Sequence, residues 1–138
     1  MAKIILYWSN LPKRCGYKSI EEWKNAEVKF SPLHDLVFRS HERLGNKVEL
    51  WTHQKITDFS YQGIEIKDAS ELISHEIVYQ TLEWGHSIAF VADAIRIKRA
   101  SQVLGIVLDM DCVCLRSFPE HDSWFSTMPA KRTGSMAP

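Results

Sequence analysis

Hydrophobic positions along the chain switch between two periods. Residues 3–8, "KIILYW", form a short aliphatic run ending in Trp8, stopped by "SNLPKRCG", whose Pro and Gly mark a loop. In "SPLHDLVFRSHERLG" (31–45) Leu33, Leu36, Val37 and Leu44 recur at helical spacing. Ser31 is placed to cap that helix, Pro32 to occupy its first position and Gly45 to end it. "KVELW" (47–51) predicts a strand and "GIEI" (63–66) a shorter one, followed by "DASELIS" (68–74) as a helical turn headed by Asp68. "HSIAFVADAIRIKRASQVL" (86–104) is the longest helical pattern and ends at Gly105, after which "GIVLDMD" predicts a strand over 105–109.

Strand, helix, strand, strand, helix, strand is the order of an α/β protein with a largely parallel sheet and right-handed crossovers. In such sheets ligands bind beyond the carboxyl ends of the strands. The ends of the runs 3–8 and 105–109 therefore define the place to search, and they bring Trp8, Ser9, Asn10, Asp109 and Asp111 into one neighbourhood. Residues 1–128 are expected to form one domain, and the polar segment "PAKRTGSMAP" (129–138) a frayed tail.

Composition narrows the classes. At 138 residues with 45% hydrophobic content the chain can build a sizeable core. Lys plus Arg equals Asp plus Glu at 17 each, so no basic footprint for nucleic acid or an anionic membrane is present, and small molecules or proteins are the expected partners. No apolar stretch has the length of a membrane span, and the cytoplasm is the expected compartment. The three cysteines, Cys15, Cys112 and Cys114, make no CxxC pair and suit a reducing compartment. Two residues apart on one strand, Cys112 and Cys114 would share a sheet face as small apolar fillers. The six histidines show no HxH or HExxH spacing, and no GxGxxG, Walker-type or GxSxG motif occurs.

The chemistry concentrates near the end of the chain. Asp109 and Asp111 are like charges one residue apart at a strand end, and their repulsion is relieved by a divalent cation. Mg²⁺ or Mn²⁺ takes hard oxygen ligands and is commonly shared between carboxylates and a substrate's phosphates. A solvated exit from the strand is the bland alternative. Asp93 and Arg96, three residues apart, share a helical face; they are either a surface ion pair or, since "SIAFVA" before them is apolar, a pair entering a partly buried environment. Trp8, at the end of its strand, is either a core residue or a platform for a planar ligand such as a nucleobase.

Taken together, "ADAIRIKRASQVLGIVLDMDCVCLRSF" resembles the core motif of the DXD-containing sugar-nucleotide glycosyltransferases, the group that includes α-1,6-mannosyltransferases, α-1,4-galactosyltransferases and capsular polysaccharide transferases. Their pattern is Ser-Asp-x-x-Arg, an apolar helix, then Gly-Gly-x-Tyr-x-Asp-x-Asp. Asp93 and Arg96 match its Asp and Arg, Gly105 its second glycine, and Asp109 and Asp111 its two aspartates; Ala92, Leu104 and Val107 depart from it. "KIILYW" is similar to the family's opening strand, which ends in tryptophan.

The resemblance implies a GT-A-like, Rossmann-type half with a mostly parallel sheet and helices on both faces. In it Asp109 and Asp111 would hold Mn²⁺ or Mg²⁺ against the diphosphate of a UDP- or GDP-linked sugar, Asp93 and Arg96 would contact the donor sugar or ribose, and Trp8 would stack on the base. "CVCLRSF" would be the short strand that follows the Asp pair, and Glu120, His121 and Asp122 are further candidate metal contacts. The expected function is that of a glycosyltransferase-like protein. The alternative is a non-catalytic, truncated donor domain that binds a nucleotide or a partner and covers its sheet edge by homo-oligomerising. A metal-dependent phosphotransferase or nucleotidyltransferase using the same Asp pair is a third reading.

Overall fold

The computed structural model describes residues 3–118, and a single parallel sheet organises them. Strands β1 (Lys3–Tyr7), β2 (Val48–Thr52), β3 (Ile64–Asp68) and β4 (Gly105–Val107) lie in the order β3-β2-β1-β4. Five helices connect them: α1 (Pro12–Cys15), α2 (Ile20–Asn25), α3 (Pro32–Arg43), α4 (His75–Glu83) and α5 (Ile88–Ala100), with a 3₁₀ turn at Ala69–Glu71. This is a Rossmann-like α/β arrangement. Because β1 is central, both of its faces are covered, which is why its aliphatic run shows no polar alternation.

The pleat sorts that run into two cores. Ile5 and Tyr7, with Trp51 of β2, face α2, α4 and α5 and pack against Trp23, Val78, Leu82, Val91 and Ile95. Ile4 and Leu6, with Val48 and Leu50, face Phe38 of α3 and Met110. Each such aliphatic or aromatic side chain contributes about 1.5–3 kcal/mol when fully buried. Helices thus cover both faces.

Two capping residues act as the sequence indicates: Ser31 accepts from the His34 backbone N–H and Asp68 from the Ser70 N–H. Ser87, expected inside the long helix, instead caps it by accepting from the Phe90 N–H, so that α5 starts at Ile88 and ends at Ala100 rather than spanning 86–104. Gly45, just beyond α3, adopts φ +67°, a conformation that favours glycine.

Chain order gives the sheet its direction. β1, β2 and β3 step outward on one side, whereas β4 returns to the other side of β1, pairing Lys3 with Gly105 and Ile5 with Val107. Between β1 and β4 the connections reverse, and the crevice beyond their carboxyl ends is where ligands of doubly wound sheets bind.

Two expectations about the last described segment are corrected. The ladder of β4 ends at Val107 rather than 109, with one further bond from Leu108 N–H to Ile5 O at 3.3 Å. "CVCLRSF" forms no strand. The Cys112 N–H donates to Asp109 O at 3.2 Å, closing a turn, and the chain then runs to α3, where Ser40 Oγ accepts from Cys114 N–H and Arg43 donates to Leu115 O. With its polar groups spent on a helix, the segment has no ladder to join, so Cys112 and Cys114 share no sheet face. Three helices were not foreseen: α1, α2 and α4.

Candidate functional site

The turn after β4 carries both aspartates to the carboxyl end of the sheet. Asp109 follows the last ladder bond and Asp111 lies two residues on, inside the turn closed by Cys112; both side chains are exposed, while Met110 between them is buried against Ile4 and Leu6. Burial of that one apolar side chain fixes the turn so that its two neighbours point outward.

Arg96 of α5 holds the turn from behind. It is 5% exposed, and each nitrogen of its guanidinium is used. Nε donates to Ala92 O at 3.2 Å, Nη1 to Leu108 O at 2.5 Å and Asp109 Oδ1 at 2.7 Å, and Nη2 to Asp93 Oδ1 at 2.5 Å. A planar fork satisfies this geometry and an ammonium does not. Asp93 is not partly buried: its side chain is 64% exposed. The apolar character of α5 does not report burial there, because Phe90 and Ile97 on the same helix are exposed too.

A second ion network fixes α5 itself. Glu49 of β2, 1% exposed, receives Arg99 in a two-pronged contact (2.8 Å to each oxygen), Lys3 at 3.0 Å and Trp51 Nε1 at 2.9 Å, and Arg99 lies over the Trp51 ring at 5.1 Å. Chiefly through the hydrogen bonds from Arg99, its carboxyl is held down at about 2 despite burial. Arg99 stands one helical turn from Arg96, so this anchor sets the rotation at which Arg96 meets the strand end.

Trp8 continues β1 at the same end of the sheet, its backbone N–H donating to Trp51 O at 3.1 Å. It is half-buried, donates from Nε1 to Lys29 O at 3.3 Å and meets the His34 ring edge to face at 4.5 Å. His34 occupies the third position of α3, whose N-terminus lies at this edge of the sheet. Ser31 N–H donates to its Nδ1 at 3.2 Å, completing a reciprocal cap with the Ser31 hydroxyl. Burial pushes its pKa down, and the charge of Asp111 acts in the opposite direction. The histidines show no motif in sequence; what places His34 here is the run Ser31-Pro32-Leu33-His34, which reads as a capped N-terminus.

Ser9 and Asn10 are buried in the same region but face inward. Ser9 Oγ pairs with Thr52 Oγ1 and accepts from His53 N–H, and Asn10 is tied to Glu27 O, Lys29 N–H and Gln54. Nearby, Tyr7 OH donates to His53 Nδ1 at 2.8 Å while His53 Nε2–H donates to Ile73 O at 2.7 Å, so the ring is neutral and its pKa is pushed down to about 4 by burial. These groups brace the loops after β1 and β2.

Asp109, Asp111 and Cys112 offer ligand atoms that all lie within 4.8 Å of one another. Two exposed carboxylates, one oriented by Arg96, fit a hard divalent cation that completes its shell with water and ligand oxygens. Cys112 was expected to be a filler, and instead its thiol borders the pair; burial, with the charges of Asp111 and Asp109, pushes its pKa up, which disfavours the thiolate. Glu120, His121 and Asp122 lie outside the described residues. Leu104 and Val107, which depart from the motif, are exposed and carry ordinary negative φ. Comparison of the chain with family models, with curated proteins and with solved structures gave no match.

Proposed function

We propose that the crevice between β1 and β4 is the donor site of a glycosyltransferase-like protein, in which Asp109 and Asp111 hold Mn²⁺ or Mg²⁺ against the diphosphate of a nucleotide sugar. One observation carries this reading: at the point where the sheet's connections reverse, a buried arginine fixes one of two adjacent exposed carboxylates, beside a rim tryptophan. When bound, the cation would offset the negative charge that builds on a departing nucleoside diphosphate.

This chain's own residues would divide the work. Arg96 orients Asp109 and Asp93 from behind and neutralises part of their charge, being too enclosed to serve as an open ligand contact. Asp93, exposed next to the pair, is free on its outer side to accept a hydroxyl of the sugar or ribose. Trp8 would offer the outer part of its indole to the base.

Calorimetric titration with UDP and with GDP, with and without Mn²⁺, tests the reading. Binding is expected only with the metal and is expected to disappear in Asp109→Ala. Binding that ignores both metal and Asp109 would refute it. Donor hydrolysis or sugar transfer separates a working transferase from a module that only binds.

A further inference from the structure

We infer that His34 is the anion-recognising group of this crevice and donates from Nε2–H to a phosphate oxygen of the diphosphate whose cation Asp109 and Asp111 hold. The inference rests on the donor-site reading above and adds a residue that the motif does not contain.

The ring's chemistry is fixed by its neighbours. Ser31 N–H donates to Nδ1, so Nδ1 is an acceptor and the neutral ring carries its proton on Nε2. Edge-to-face contacts with Trp8 at 4.5 Å and Phe30 at 5.8 Å hold the plane. The residue is only 8% exposed, yet Nε2 has no hydrogen-bond partner among the described residues. His41 makes the contrast: its Nε2 also lacks a partner but is sealed inside the protein, whereas that of His34 is not sealed. The contact with Trp8 puts the ring at the carboxyl end of β1, the same end of the sheet as the carboxylate pair, and the charge of Asp111 acts on it against the effect of burial.

A donor of fixed direction, open to solvent and without a protein acceptor, at the end of the sheet that carries the carboxylate pair, is placed to exchange water for an anionic oxygen of a ligand. The N-terminus of the 12-residue α3 favours the same charge. Direct metal ligation is disfavoured, because it would place the proton on Nδ1, against the Ser31 N–H. His34 and the two aspartates thus address different parts of one ligand: the nitrogen its phosphate oxygen, the carboxylates its cation.

The test titrates inorganic diphosphate in Mn²⁺, and Mn²⁺ alone, into the wild-type chain, His34→Ala, His34→Gln and Ser74→Ala. Ser74→Ala removes a comparable helix cap from α4, outside the crevice, and controls for lost stability. His34→Ala is expected to weaken diphosphate binding about tenfold while Mn²⁺ alone binds within about twofold of wild type. His34→Gln, which keeps an N–H donor, is expected to recover most of the loss, and Ser74→Ala to bind as wild type does. Unchanged diphosphate affinity in His34→Ala would make the residue structural, and lost Mn²⁺ affinity would make it a ligand; either overturns the inference while the donor site stands. If the wild-type chain binds no diphosphate even with Mn²⁺, the donor-site reading falls and the inference with it.

Discussion

Arg96 Nη1 meets Asp109 Oδ1 at 2.7 Å and Leu108 O at 2.5 Å, so one buried nitrogen ties the backbone just past β4 to the first carboxylate of the turn. Arg96→Lys keeps the charge but cannot serve four acceptors on two sides. We expect a loss of about 1–3 kcal/mol in stability, read by chemical denaturation, and about tenfold weaker binding of UDP in Mn²⁺. Asp93→Asn, at an exposed partner, should cost less than about 1 kcal/mol.

Gly105 pairs with Lys3 where β4 meets β1, and a Cβ there would lie 2.4 Å from Ile5 Cδ1. Ile5 is fully buried, so the methyl has little room to move. Gly105→Ala should therefore cost about 1–3 kcal/mol, and adding Ile5→Val, which removes that methyl, should restore part of it. Thermal melts of the single and double variants check this; equal losses in both would mean the clash is relieved elsewhere.

Acid should act in two stages. Burial pushes His53 down to about 4, with His34 and His41 shifted in the same direction. The unfolded chain therefore takes up protons first as pH falls below about 6.5, and stability declines from there towards pH 4. Glu49, held at about 2 against an ordinary 4.5, adds a second decline between those values, with about 3 kcal/mol at stake. Denaturation midpoints measured from pH 7 to pH 2 should show both limbs, and Glu49→Gln should lose the lower one while lowering stability at neutral pH.

Cys112 borders the carboxylates, but a hard cation is held by oxygen. Cys112→Ser should leave Mn²⁺ affinity within about twofold and weaken Cd²⁺, which favours sulfur, by about tenfold or more. Titration with the two ions decides it; equal loss of both would make the sulfur part of the Mn²⁺ site.

The sheet and its two longest helices were legible because period and punctuation agree: Ser31, Pro32 and Gly45 bracket α3, and the apolar run of 86–104 contains α5, although the helix stops at Ala100, capped by Ser101, and Gly105 opens β4. α4 escaped because only Val78 and Leu82 of its nine residues are buried, too few to establish a period. α1 and α2, at 4 and 6 residues, are too short to show one. "CVCLRSF" resembles the short strand that follows the Asp pair in the motif, yet its hydrogen bonds go to Ser40 and Arg43, which no local pattern reveals. At the crevice, the position of the aspartates followed from strand order. The exposure of Asp93 and the inward turn of Arg96 depend on the rotation of α5, set through Arg99 and Glu49, a contact spanning 50 residues.

The most direct test is electron paramagnetic resonance of Mn²⁺ titrated into the protein with UDP, corrected for Mn²⁺ bound by UDP alone. We expect the free-ion signal to fall when protein and nucleotide are both present, and Asp109→Asn and Asp111→Asn each to restore it to the nucleotide-only level. A signal that the protein does not lower, or that falls equally in both variants, would contradict a cation held by this turn.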